Sequence, residues 1–283
     1  MYDVAIIGSG VAGLSAALTL KQLNKNFIWF GSKKLSYKIS NVEKVTNYPG
    51  LISVTGKEMQ EVFLRQISEA NIEITEKQVT GVYQMTGSYS ILCGQEMFEA
   101  KSVIVCLGVE SVKPIKGELE YLGSGVSYCA TCDGMIYKNK EMTVFSSSKE
   151  FEEEIEFLSE IASKINFVPL YKDAKTDFRN TEVISGMPTE IKREGKKMYL
   201  VFKDKEIESD VIFMLKSAVS PAVLVPGIEV DNGHIKVDRA CKTNMEGLFA
   251  AGDCTGRPYQ YTKAVGEGNI AAHSAVSYLA SLK

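Results

Sequence analysis

The chain has 283 residues, which at about 150 residues per domain gives two domains. Its 45% apolar and 24% charged residues are those of an ordinary globular protein, which excludes collagen, coiled coil and disorder. A net charge of −3 argues against a basic nucleic-acid binder, and six cysteines are too few for a disulfide scaffold.

Residues 4–20 carry no charge, but the run is short for a membrane span and is broken by Gly8, Gly10 and Gly13. It reads instead as a strand over 2–7, a tight turn and a helix over 11–23, with a second strand over 27–30. With no basic start and no small-residue cleavage site, the chain is expected in the cytosol and outside the membrane. A helix is predicted over 58–70, where Met59, Val62, Phe63 and Ile67 share a face. Strand-like pieces follow over 72–75, 78–85 and 88–93, then an apolar strand over 102–107. Residues 108–117, with Pro114, read as a linker.

A second α/β pattern begins after it: strand 142–145, acidic helix 149–162, strand 165–168, and further strands near Glu182, Met198 and Val211. A Pro/Gly stretch over 220–227 marks a return, followed by a strand over 247–251 and a terminal helix over 263–282. The expected fold class is therefore α/β, with two Rossmann-like, doubly wound, three-layer domains. One is discontinuous, residues 1–112 and 239–283, and the other, 113–238, is inserted within it. Charge divides the same way: the insert holds 17 basic and 22 acidic residues, the remainder 15 and 13.

Gly8-Ser9-Gly10-Val11-Ala12-Gly13 follows a strand and opens a helix, the required context of a dinucleotide fingerprint. The first glycine makes the turn, the second admits a pyrophosphate, and the third lets helix meet strand. No acid lies between Asp3 and Glu43, so the usual ribose-binding carboxylate is absent and Ser32 or backbone must serve. Cys129-Ala130-Thr131-Cys132-Asp133 is the second site. Two thiols two residues apart can close a disulfide where they open a helix, whose N-terminus favours thiolate. A zinc site needs a second Cys pair or nearby histidines, and the only histidines are His234 and His273; an inert pair is the other alternative. No metal is expected. Cys93, Cys106, Cys241 and Cys254 read as small buried hydrophobes. Asp133 reads as a proton donor to the departing thiolate, or as a first-turn helix charge.

Residues 129–137 (CATCDGMIY), 47–50 (NYPG), the N-terminal GSGVAG and 247–254 (GLFAAGDC) together resemble the low-molecular-weight flavin thioredoxin reductases over nearly the whole chain. The resemblance implies FAD in the first domain. It implies contacts at Gly8, Ser9, Gly10, Val11, Ala12, Gly13, Gly31, Ser32, Asn47, Val79, Gly108, Gly252 and Asp253, with Gln260 and Tyr261 at the flavin. It also implies a homodimer, with Cys132 facing the flavin, Cys129 attacking thioredoxin, and hinges near 109–117 and 220–240.

The chain departs from that pattern where NADPH should bind. In place of a glycine-rich turn after strand 142–145 stand Ser146-Ser147-Ser148, then Phe151 where a small residue belongs. Glu150, Glu152, Glu153 and Glu154 occupy the helix's opening turns, where a phosphate would sit. Charges about 5 Å apart at an effective dielectric of about 20 repel by about 3 kcal/mol before screening. Pro169-Leu170-Tyr171 stands where the family has a His-Arg-Arg cluster for the 2′-phosphate. With both NADPH motifs gone, the chain is most similar to the ferredoxin-dependent flavin thioredoxin reductases, which implies reduced ferredoxin as donor and thioredoxin as acceptor. Lys21, Lys25, Lys33, Lys34, Lys38 and Lys44 form a steering face for an acidic donor, or an ordinary solvated one. The alternatives are an NADPH-dependent disulfide reductase with a remodelled site, a related reductase with another donor, and an FAD-binding redox sensor without turnover.

Overall fold

The computed structural model describes residues 1–40, 42–109, 114–216 and 220–282, with Cys132 described by its backbone alone. The chain separates into two compact units, Met1–Val109 with Pro221–Lys283, and Glu110–Ser220.

The first unit opens with β1 (Tyr2–Ile7), α1 (Val11–Gln22) and β2 (Phe27–Phe30). Both strands are apolar runs because both faces of a parallel sheet are covered; they pair in parallel, Val4 opposite Phe27. After a one-turn α2 (Tyr37–Ser40) comes α3 (Gly56–Glu69). A capping box starts α3: the Thr55 hydroxyl accepts from Glu58 N–H, and Glu58 accepts from Thr55 N–H. Its buried stripe is Met59, Phe63 and Ile67. The meander β3 (Gly81–Met85), β4 (Ser88–Cys93) and β5 (Glu96–Val105) follows. Residues 72–75, expected as a strand, supply only the single bridge between Thr75 and Phe30. β5 is longer than expected because its first half pairs antiparallel with β4, while its second half pairs parallel with β1.

In the second unit come β6 (Val126–Ser127), α4 (Ala130–Asp133), β7 (Glu141–Ser146), α5 (Glu152–Ile161), β8 (Lys164–Pro169) and β9 (Thr181–Val183). Then follow β10 (Glu190–Glu194), β11 (Lys197–Val201), β12 (Glu206–Ser209) and β13 (Val211–Leu215). A parallel sheet runs in the order β6-β13-β7-β8-β9, and β10, β11 and β12 form an antiparallel meander. The acidic helix starts later than expected, because Ser148 caps a 3-10 turn over Lys149–Phe151 before α5 begins.

The chain returns to the first unit through α6 (Pro221–Leu224), β14 (Val230–Asp231), β15 (His234–Ile235), β16 (Leu248–Ala250) and α7 (Tyr261–Ser281). Residues 221–238, expected in the insert, pack here instead, since Leu224, Val225, Ile228 and Ile235 join the core under β1 and β5. β16 adds to β5 in parallel. α7 lies on α1 across small residues: a Cβ on Gly268 would come within 2.2 Å of the Ala12 carbonyl. The hinge expected near 109–117 falls partly on residues 110–113, outside the described ones. No helix among the described residues is long and apolar enough to cross a membrane.

Each parallel sheet aligns its carboxyl ends on one edge, the edge where open α/β sheets take ligands. In the first unit Gly8–Gly13 follow β1, Gly31 and Ser32 follow β2, Gly108 follows β5, and Gly252 and Asp253 follow β16. In the second, the cysteine turn follows β6, the triple serine ends β7, Tyr171 follows β8 and Lys216 follows β13.

Candidate active site

The turn after β1 is built for an anion. Gly8 has φ +113°, and a Cβ there would strike the Cys106 carbonyl at 2.2 Å. A Cβ on Gly13 would lie 2.0 Å from the Gly8 carbonyl, so the third glycine is what lets α1 meet β1. Nothing lies within 4 Å of a Cβ on Gly10, which opens α1 with no side-chain cap and no acid in the first turn. The unpaired N–H groups of that turn, with their positive dipole end, face open space a phosphate can fill. Ser9 is buried and its Oγ accepts the Ser32 N–H at 2.8 Å, tying the loop after β2 to the fingerprint. The Ser32 hydroxyl in turn accepts the Lys34 N–H at 3.2 Å. Val79 is a core residue, so only its backbone can face a ligand.

The start of α7 brings in the remaining expected residues. Asn47 Nδ2 donates to Gln260 Oε1 at 2.8 Å, and Tyr261 OH donates to the Lys38 carbonyl at 3.1 Å. Burial raises the Asp253 carboxyl, against the pull of Lys263 and Lys38. Two residues that the sequence reading missed hold the loop carrying Asp253. Glu267 Oε2 accepts from Gly252 N–H and the Thr255 hydroxyl, both at 2.8 Å. Lys263 Nζ donates to the carbonyls of Gly252 at 2.8 Å and Gly256 at 2.7 Å and sits 3.2 Å from Glu267. Their i, i+4 spacing on a predicted helix was the available signal. This glycine cradle, uncapped helix start and braced loop fit an FAD.

In the second unit Cys129 is buried and disulfide-bonded, whereas Cys93, Cys106, Cys241 and Cys254 are all free. The Cys132 side chain lies outside the described residues. Burial pushes the Cys93 thiol up to about 11 and those of Cys241 and Cys254 to about 12, so these are inert packing residues. Asp133 closes α4 and meets Ser127 Oγ at 2.7 Å. α5 presses on this turn because Gly134 has no side chain: a Cβ there would meet Leu158 at 2.9 Å and Phe157 at 3.0 Å. From α5 the Glu154 carboxylate accepts the Ala130 N–H. Among the described residues Glu154 Oε2 is buried without a partner, and burial raises this carboxyl, with Glu150 adding to the effect. Neither Ser127 nor Glu154 was marked in the sequence as touching the cysteines, and nothing in spacing alone indicates it.

At the carboxyl edge between β7 and β8 protein groups bond to one another, while the Ser147 hydroxyl is buried without a partner among the described residues. Ser146 and Ser148 are buried, and Ser146 Oγ donates to the Ser148 carbonyl at 2.9 Å. Glu152 Oε1 accepts from Tyr171 OH at 3.2 Å and from Lys175 N–H at 3.0 Å. Burial and Glu152 together raise the Tyr171 phenol. Beside this turn, Lys216 is paired inside the protein with Glu118 at 2.7 and 2.9 Å, and Tyr128 OH donates to the same carboxylate at 2.7 Å. Among the described residues no cluster of His, Cys, Asp or Glu could hold a metal ion.

The family model described as pyridine nucleotide-disulphide oxidoreductase matches residues 2–151 and 175–268. A thioredoxin reductase of Treponema pallidum is 31% identical over 302 residues, covering all of this chain and 98% of that protein. The crystal structure of a ferredoxin-flavin thioredoxin reductase from Clostridium acetobutylicum is 46% identical, with a TM-score of 0.96 over 99% of this chain and 98% of that one. A thioredoxin reductase from Gloeobacter violaceus is 26% identical, with a TM-score of 0.84 over all of this chain and 95% of that one.

Proposed function

Because the chain belongs to the pyridine nucleotide-disulphide oxidoreductase family, FAD enzymes that act on disulfides, we propose that it is a thioredoxin reductase charged by reduced ferredoxin rather than by NADPH. One observation carries the choice of donor. The edge where a second dinucleotide would lie carries three serines in place of glycines, Ser146 bonded to the Ser148 carbonyl and Ser147 with a buried hydroxyl unpartnered among the described residues, and Glu152 bonded to Tyr171. A pyrophosphate there would displace buried hydroxyls and meet the carboxylates that open α5. The ferredoxin-flavin reductase at 46% identity supports the same reading.

In this reading Gly8, Ser9, Gly10, Val11, Ala12 and Gly13 hold the FAD diphosphate on the start of α1. Gly31 and Ser32, Asn47, the Val79 backbone, Gly108, Gly252 and Asp253 line its length, and Gln260 and Tyr261 face the ring. Bound FAD accepts electrons one at a time and passes a pair to a disulfide. Cys132 receives that pair, the S–S bond opens, and Cys129 leaves as a thiolate that Asp133 protonates. Cys129 then gives its proton back to Asp133 and attacks the thioredoxin disulfide, and Cys132 resolves the mixed disulfide. The homodimer implied by the resemblance belongs to the same proposal.

The test is the flavin absorbance under anaerobic conditions. Reduced ferredoxin should bleach it within the turnover time, and Cys129→Ser should bleach equally yet fail to reduce thioredoxin. Rapid bleaching by micromolar NADPH would overturn the donor assignment.

A further inference from the structure

Two hydroxyls serve the cysteine turn: Thr131 Oγ1 lies 3.6 Å from the Cys129 sulfur, and Ser127 joins Cys129 to Asp133. Ser127 ends β6, is buried, and precedes Cys129 by two residues. Its Oγ accepts the Cys129 N–H at 3.1 Å and lies 2.7 Å from Asp133 Oδ2 and 3.2 Å from the Cys129 carbonyl. A serine has a single proton to donate, so two oxygens compete for it. With Asp133 ionised, the shorter and charge-assisted contact wins. With Asp133 protonated, the direction inverts: the carboxyl donates to Oγ, and the serine proton turns to the Cys129 carbonyl. That carbonyl accepts the Asp133 N–H at 3.2 Å as well, and it has two lone pairs.

We propose that Ser127 is a positioning residue for the thiol–disulfide step, its hydroxyl swinging between Asp133 and the Cys129 carbonyl as Asp133 gains and loses its proton. The proposal rests on the reading of Asp133 as the acid. The exchange balances. An electron pair from the reduced flavin breaks the S–S bond, and Cys129 leaves with a negative sulfur. Asp133 gives that sulfur its proton and becomes a carboxylate, and the Ser127 O–H turns to the new charge. When Cys129 attacks the thioredoxin disulfide, its proton returns to Asp133 and the serine turns back. In both states the carboxyl keeps a hydrogen bond and the Cys129 N–H keeps its acceptor. The carboxyl therefore stays in place through the cycle without exposing an unpaired buried group. Among the described residues the other charged and titratable groups around the turn include Tyr128, bonded to Glu118 and through it to Lys216, Tyr137, raised by burial and by Asp133, Arg193, which acts on Tyr137, and Glu154 on the Ala130 N–H.

The experiment compares Ser127→Ala, Ser127→Thr and Asp133→Asn as full-length, FAD-loaded protein, reading thioredoxin reduction against pH. Ser127→Ala should lower the rate about tenfold, a fraction of what a general acid contributes. The loss should also vary with pH, because it is the ionised carboxyl that takes the serine's proton. Ser127→Thr, which keeps the hydroxyl, should restore the rate at every pH. A loss that is the same at every pH, or no loss at all, would overturn the role of Ser127. Should the alanine form not fold, Ser127→Gly leaves room for a water, and a smaller, still pH-dependent loss is expected. Asp133→Asn separates the two claims. Full activity there would sink the acid assignment itself, while an inactive Asp133→Asn beside an unmoved Ser127→Ala profile would sink only the serine switch.

Discussion

A carboxyl group that loses water and gains only one donor keeps its proton to higher pH than it would in solution. Glu154 is such a group: burial raises it, one oxygen takes the Ala130 N–H, and the other is unpartnered among the described residues. With its folded value above the ordinary one, its contribution to stability is complete below the ordinary carboxylate range. That contribution is lost as pH rises through the folded value. Glu154→Gln keeps an acceptor for Ala130 and never ionises. It should therefore melt a few degrees higher than the unsubstituted protein at about pH 8, with no gain at about pH 4. Thermal melts of the FAD-loaded protein at the two pH values check this, and an equal midpoint at both would remove the burial argument. The acidity of residues 150–154 is plain in the sequence. That one of those carboxylates turns to the cysteine turn is not, because its direction is set by how closely Gly134 lets α5 approach. The four single cysteines, by contrast, were readable as packing residues from their isolation alone.

At the scale of elements, α1 and its turn were legible because three glycines at fixed spacing leave few other conformations. β10 and β12 escaped notice as strands because their alternating charges face outward and the apolar partners are few, Ile191 in one and Ile207 in the other. α7 was legible as a helix but not as a brace. Lys263 and Glu267 together hold the Gly252–Gly256 loop by its backbone, an arrangement that becomes visible only once α7 packs on α1. Lys263→Met removes three donated hydrogen bonds and leaves Glu267 without its cation. It should weaken FAD binding about tenfold, the scale of one net charge-assisted hydrogen bond. Titration of the apoprotein with FAD, followed by flavin fluorescence, measures it. Unchanged affinity would mean that the loop keeps its shape without the brace.

Across the whole molecule, charge divides unevenly along the chain, and an acidic donor should meet the lysines that follow β2 rather than the acidic insert. Lys33, Lys34 and Lys44 are exposed after β2, whereas Lys21 and Lys25 precede it at the opposite edge of the sheet, so the six lysines do not form one face; these five form no ion pair among the described residues. Lys38 donates to the Val109 carbonyl instead. Replacing Lys33 and Lys34 by Glu should slow electron entry from reduced ferredoxin about tenfold at low ionic strength. The gap should close toward about 1 M salt, where the screening length falls to about 3 Å. Rapid-mixing measurement of flavin reduction reads both, and a rate indifferent to salt would dismiss these lysines as a docking surface. The interior pair of Lys216 with Glu118 bears on stability rather than on rate. Losing either member alone strands a charge away from water, at a cost of about 3–5 kcal/mol, a large share of the ~5–15 kcal/mol that keeps a protein folded. Replacing both partners by apolar residues of similar volume leaves no charge stranded, so the two positions are free to change together but not one at a time.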